Sequence, residues 1–178
     1  MLFSDTYLTI EKPVEAVFKD KGSKFLAFAY PVENDQQIKG ILIQLKKEHH
    51  TANHHCYAYR LGADKMNFRA NDDGEPNNTA GKPILGQIQS NDLTNILIVV
   101  VRYFGGTLLG VSGLINAYKN SSADVIKVST IIEKQILFNY TIQFYFEQLN
   151  DVMKLLKHLD CKITNQQFDN NCEISFSI

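Results

Sequence analysis

The run from Val99 to Gly113, Val-Val-Val-Arg-Tyr-Phe-Gly-Gly-Thr-Leu-Leu-Gly-Val-Ser-Gly, constrains the fold of this chain more than any other stretch. An apolar segment ends on a cation, Arg102, and two aromatic rings, Tyr103 and Phe104. Four glycines, Gly105, Gly106, Gly110 and Gly113, follow within nine residues, and a helical pattern begins at once. Glycine is costly to order, so this density signals positive φ angles or close backbone approach. Bare main chain at a helix start offers free N–H groups and the positive end of the helix dipole, a site for an anion. The same glycines would also let helix and sheet pack closely, and both readings stand. The spacing is neither a dinucleotide fingerprint nor a P-loop, because no Gly-Lys-Ser/Thr closes it.

The 178 residues suffice for one large or two small domains. Hydrophobic residues make up 44% and charged residues 21%, which places the chain among ordinary globular proteins. A net charge of −1 excludes an overall basic field, so any nucleic-acid contact has to use a local patch. Met1–Asp5 lacks the basic and apolar regions of a signal peptide. No apolar run approaches the ~20 residues that span a bilayer, so no membrane partner is expected. Cys56, Cys161 and Cys172 form no pairing motif, which fits a reducing cytoplasm.

Thr6–Ile10 and Phe25–Tyr30 read as strands. Ile38, Ile41, Leu42 and Leu45 repeat at helical spacing and predict a helix over Asp35–Glu48. His54–Leu61 alternates as a strand, with His54, Cys56, Ala58 and Arg60 on one face, and Met66–Ala70 as its hairpin partner. Asn71–Thr79 is a loop rich in Asp, Asn, Gly and Pro, and Pro83 opens a helix. Leu93–Val101 predicts a strand buried on both faces, and Leu114 to Ile126 a helix. Beyond Glu133, strict alternation from Ile136 to Phe146 predicts a long strand. A helix through Val152–Leu159 follows, then strands Lys162–Phe168 and Cys172–Ile178 joined by Asp169-Asn170-Asn171.

His49, His50, His54, His55 and Cys56 are dense enough to raise zinc, but no second ligand pair completes a tetrahedral site, so no metal is expected. The face with His54, Cys56 and Arg60 reads either as a polar strip touching an anion or as a satisfied network. Cys56 with His54 lacks an orienting group or oxyanion hole for nucleophilic work. Asp72, Asp73 and Glu75 fit no EF-hand loop. They are expected to support the glycine loop by pairing with Arg102 or Lys82, since half-buried charges seek partners. Lys82, Arg102, Tyr103 and the Gly105–Gly113 main chain are the candidates for one surface binding an anion or nucleic acid. One of Tyr103 and Phe104 is expected to pack inward, because strand neighbours face opposite ways.

Several segments together resemble the IMPACT family. They are Lys21-Gly22-Ser23-Lys24-Phe25; the pattern of His50, Ala52, His54, Cys56, Ala58, Tyr59 and Arg60; Asp72-Asp73-Gly74-Glu75-Pro76; Thr79-Ala80-Gly81-Lys82-Pro83-Ile84-Leu85; and the glycine run, in family order over about residues 20–120. The resemblance implies an α+β protein of two α/β sandwich domains. Residues 1–130 would form the Impact N-terminal domain, with a left-handed βαβ unit like domain IV of elongation factor G, against the usual crossover hand. Residues 131–178 would form a shortened ferredoxin-like domain that ends at β-α-β-β, one helix and one strand short of the full unit. The resemblance further implies a translation-associated regulatory binding protein whose partner is RNA, the ribosome or a translation factor, with no cofactor. Its eukaryotic relatives bind the activator of a starvation-responsive initiation-factor kinase. An enzyme acting on a phosphate-containing small molecule is the alternative, because left-handed βαβ folds also occur in small-molecule kinases. A purely structural partner protein is the third possibility.

Overall fold

The computed structural model describes residues 5–169 and 171–178. Met1–Ser4 of the Met1–Asp5 segment expected to be no signal peptide, and Asn170 of the expected turn, lie outside the described residues. The chain divides into two compact units, Met1–Lys134 and Gln135–Ile178.

The first unit is built on five antiparallel-paired strands in the order β2-β3-β6-β4-β5. These are β2 (Val14–Asp20), β3 (Ser23–Pro31), β4 (His54–Leu61), β5 (Asn67–Asn71) and β6 (Ile96–Tyr103). The helices are α1 (Asp35–Glu48), α2 (Gly81–Ser90) and α3 (Gly110–Lys127). A two-stranded ribbon pairs β1 (Thr6–Ile10) with β7 (Ile131–Gln135). Central β6 is buried from Ile96 to Arg102 and has a core on each side. Ile96, Ile98 and Val100 meet Ile84 and Ile88 of α2 and Leu114, Ala117 and Tyr118 of α3. Leu97, Val99 and Val101 meet Ile38 and Leu45 of α1. A strand apolar at every position is the sequence form of this two-sided burial.

The hand of the connections follows from the pairing. Strands β3 and β4 are both antiparallel to β6, and β5 and β6 both to β4, so β3-α1-β4 and β5-α2-β6 are parallel crossovers that each skip one strand. Viewed along its own starting strand, each crossover steps the same way across the sheet. Their helices nevertheless cover opposite faces. Two such crossovers have opposite hands, so one of them is left-handed, against the usual preference.

Two strands were not foreseen. β2 alternates between half-buried Val14, Ala16 and Phe18 and exposed Glu15, Val17 and Lys19, but Pro13 and the charged positions mask the pattern. β7 carries Glu133 and Lys134, and the hydroxyl of Thr6 donates to Glu133 Oε1 at 2.7 Å across the ribbon. Leu93 lies ahead of β6 and makes an isolated parallel bridge with Leu8.

The second unit is a three-stranded antiparallel sheet, order β8-β10-β9, from β8 (Asn139–Tyr145), β9 (Lys162–Gln167) and β10 (Asn171–Ser177), with helix α4 (Leu149–His158). Cys172, Ile174 and Phe176 stand opposite Phe144, Ile142 and Tyr140, which makes one sheet face apolar. The β-α-β-β content is that of a shortened ferredoxin-like unit. Among the described residues, no helix is long and apolar enough to cross a membrane.

One backbone contact fixes the end of the sheet where the glycine run begins. Gly105 lies directly against Gly22 in the β2–β3 turn, and its N–H donates to Ser23 Oγ at 3.2 Å. A Cβ on Gly105 would overlap the carbonyl group of Gly22, whereas Gly106, at φ +86°, faces open space. Gly105→Ala is therefore expected to cost ~3 kcal/mol or more through overlap that only backbone movement relieves. Gly106→Ala should cost only the left-handed penalty of ~1–2 kcal/mol. Urea unfolding of the two variants separates close approach from positive φ as the reason for these glycines.

Candidate functional site

The loop between β5 and α2 distributes its three acids to three tasks. Asp72 turns inward and accepts from the N–H groups of Asn78, Ala80 and Gly81 at 2.9, 3.0 and 2.8 Å, which caps the start of α2. Asp73 accepts from the N–H of His55 at 2.7 Å and pairs with Lys46 at 3.2 Å. Glu75 enters the core beneath the glycine run, its side chain only 3% exposed. Its Oε1 receives Arg102 Nη1 at 2.7 Å and the Tyr118 hydroxyl at 2.7 Å. The acidic loop thus supports the glycine loop through Glu75 and Arg102, and Lys82 takes no part: it is exposed on α2.

Arg102 is itself buried, and its guanidinium carbon sits 5.5 Å from the Phe25 ring centre and 5.7 Å from that of Phe104. Two ring faces and a carboxylate stabilise a cation out of water. Arg102 Nε is buried without a hydrogen-bond partner among the described residues. His54 Nδ1 lies 2.9 Å from the carbonyl oxygen of Asp73. A carbonyl only accepts, so in the neutral ring Nδ1 carries the proton and Nε2 is left 3.9 Å from Glu75 Oε1. The Cys56 thiol lies 3.0 Å from the Asp72 carbonyl and 3.3 Å from the Tyr118 hydroxyl. Burial pushes the pKa of both Cys56 and Tyr118 upward, which keeps each protonated. A thiol held that way is no nucleophile at neutral pH.

Above this floor opens a cleft of about 460 Å³, lined by Asn53, His54, Glu75, Pro76, Arg102 and Phe104 and by Leu108–Val111 and Leu114 at the start of α3. Its rim is apolar and open to solvent: Leu108 is 84% exposed, Val111 59% and Phe104 46%. The main chain between is bare. Gly110 begins α3 at φ +72°, no side chain caps that helix start among the described residues, and Gly113 lies in its first turn. Asn53 holds the turn from the other side by accepting the Phe104 N–H at 3.0 Å.

The candidate residues do not all converge here. Arg102, Glu75, His54 and Gly110 line the cleft, and Gly105 and Gly106 form the turn beside it. Tyr103 points to the other face of β6, where its hydroxyl lies 2.9 Å from His49 Nδ1; Phe104, not Tyr103, is the aromatic residue of the cleft. Arg60 lies six residues along β4 from His54, about 20 Å at the rise of a strand, and donates to the Leu93 carbonyl at 3.2 Å. Reading the sequence missed Tyr118 as the second donor to Glu75 and missed Leu108 and Val111 as rim. The adjacent Leu108-Leu109 between glycines was the available signal, since a glycine-rich loop ahead of a helix has little core to offer two leucines; Leu109 is buried and Leu108 is not. Among the described residues, no group of three or more His, Cys, Asp or Glu could hold a metal ion.

Two predictions follow from this arrangement. Glu75→Ala leaves the Arg102 cation buried and unpaired and should lower stability by ~3–5 kcal/mol, while Tyr118→Phe should cost only ~1.5–3 kcal/mol; chemical denaturation ranks the two. His55 supplies a pH dependence. Burial lowers its pKa from the ordinary 6.5, opposed by Asp73 and assisted by the charges of Lys46 and His49. The unfolded chain then binds more protons than the folded one, so stability is full above about pH 6.5 and falls as pH drops below it. Thermal unfolding between about pH 7 and 5 should show this loss, with a shallower slope in His55→Gln.

The Impact N-terminal domain family model matches residues 21–126. IMPACT family member YigZ of Escherichia coli (strain K12) is 36% identical over 166 residues, which cover 92% of this chain and 81% of that protein. An IMPACT family member of Haemophilus influenzae is 34% identical over 177 residues, 97% of this chain and 84% of the relative. A crystal structure described only as that of a hypothetical protein superposes with a TM-score of 0.83 at 33% identity, covering 99% of this chain and 86% of the other. The chain belongs to the IMPACT family.

Proposed function

We propose that this IMPACT family protein is a translation-associated regulatory binding protein, and that the cleft at the start of α3 holds a segment of a translation factor or ribosomal protein. The observation that carries the reading is the pairing of an apolar, solvent-open rim (Leu108, Val111, Phe104) with a polar floor whose charges are already matched, Arg102 against Glu75. Exposed apolar groups clustered around a cavity favour a partner that removes them from water. A matched floor gives little to a bare phosphate chain, since Arg102 is committed to Glu75. The uncapped start of α3 adds a place for an acceptor oxygen, a carboxylate or main-chain carbonyl of the same segment. In this reading the glycine loop binds its anionic or polar group through N–H groups rather than through Arg102. The translational assignment rests on the family resemblance carried by Arg102–Gly106 and Asp72–Pro76.

Substitution at the rim tests the proposal, because Leu108 and Val111 are exposed enough to change without unfolding the unit. Wild-type protein should co-sediment with ribosomes or capture a translation factor from lysate. Leu108→Asp and Val111→Asp should each lose more than about tenfold of that capture at unchanged melting temperature. Equal capture by all three proteins would move the contact away from the cleft, and capture of no translation component would remove the translational reading.

A further inference from the structure

The β2–β3 hairpin carries a second surface that the cleft does not use. Its register places Lys19 directly opposite Lys24. Directly opposed side chains share a face with Cβ atoms ~5 Å apart, where like charges destabilise the pair. The turn between them adds a third lysine: Lys21 at φ +43° precedes Gly22 at φ +80°. Both central residues are left-handed, the φ pattern of a type I′ turn, which favours Asn, Asp or Gly where Lys21 stands. All three lysines are exposed. None of their ammonium groups makes an ion pair or hydrogen bond among the described residues. Asp20, the one acid of the hairpin tip, stands opposite Ser23 and so alternates to the other face.

The local chemistry here breaks two rules of hairpin stability, and both departures add positive charge. A hairpin tuned for folding alone would carry an acid opposite one lysine and Asn in the turn. Departures of this kind mark a functional surface. The tip is also rigid, since Gly22 is pressed against Gly105 and Ser23 holds the Gly105 N–H. Lys24 stands beside Tyr103 in the sheet, and the Tyr103 ring lies against His49 at 6.1 Å between centres. Three free ammonium groups next to an aromatic residue on a fixed scaffold match a repeating polyanion better than a single small anion.

We propose that the Lys19–Lys21–Lys24 hairpin tip binds the phosphate backbone of single-stranded RNA without reading its sequence. This surface lies on the α1 face of the sheet, and the cleft lies on the α2–α3 face, so the two contacts are separable. With three phosphates neutralised, the slope of log affinity against log salt is about −2, at ~0.7 per contact.

Fluorescence anisotropy with a labelled oligouridine of about 20 nucleotides, from about 20 to 200 mM NaCl, tests this. The triple variant Lys19→Gln, Lys21→Asn, Lys24→Gln should lose more than about tenfold in affinity at low salt and most of the salt dependence. Lys21→Asn alone should unfold at higher urea than wild type, because Asn suits the left-handed turn position, yet bind RNA severalfold more weakly. That opposition of stability and binding is the signature of a lysine placed for a ligand. Leu108→Asp should bind RNA as wild type does, whatever it does to capture of a translation component. Wild-type affinity retained by the triple variant, RNA binding unchanged by Lys21→Asn, or RNA binding lost with Leu108→Asp would each overturn the proposal. Polyglutamate of similar length competing as well as RNA would overturn it in favour of an acidic protein.

Discussion

A carboxylate removed from water needs its cation and its hydrogen-bond donors in place together, and Glu75 draws them from separate parts of the chain. Arg102 comes from the end of β6 and Tyr118 from the middle of α3, while His54 approaches from the start of β4. A loop of turn-forming residues is thereby tied to the central strand and to the helix that follows the glycines. Attraction within such a pair roughly offsets desolvation, so its value lies less in net stability than in the cost of breaking it. That cost holds the glycine turn in one place, although the turn has no side chains of its own to pack. Asp72 completes the arrangement by capping α2 from the same loop.

The end of β6 shows how one short motif supplies two faces. Consecutive strand residues alternate, so Arg102 goes to the α2–α3 side with Phe25 and Tyr118, and Tyr103 goes to the α1 side with His49 and the neighbouring Lys24. The bare glycine turn lets the chain leave β6 between these faces, and its contact with Gly22 brings the β2–β3 hairpin to the same corner.

Much of this was legible in the residues. α1, β1 and β4 occupy the spans read from the residues: α1 from its helical spacing and the cap of Asn34, which accepts the Gln37 N–H at 3.0 Å, β1 from its β-branched and aromatic content, and β4 from its alternation. The acidic loop's role followed from charge, but which acid would reach Arg102 did not. Asp72, Asp73 and Glu75 look equivalent in sequence, and only the path of the loop, with Asp73 and Gly74 both at positive φ, sends Glu75 inward and the other two elsewhere. Lys82 was assigned to the site on charge alone, although a cation one residue into a helix start is poorly placed against the dipole. Handedness was invisible to local pattern and entered through family resemblance. β2 and β7 escaped notice because edge strands need only one apolar face, and charged residues interrupt theirs.

The strand order β2-β3-β6-β4-β5 has a consequence for how the protein is made. The two hairpins β2–β3 and β4–β5 are complete when the chain has reached Asn71, yet they share no hydrogen bond until β6 is inserted between them. A nascent chain that ends before Ile96 holds two ribbons and the helices α1 and α2, with the inner edges of β3 and β4 unpaired. Synthesis of the next eight residues closes both edges at once and supplies the apolar side chains for both cores. Assembly of the sheet therefore waits on β6, and a chain of which only the residues up to α2 have left the exit tunnel holds two open strand edges in solvent.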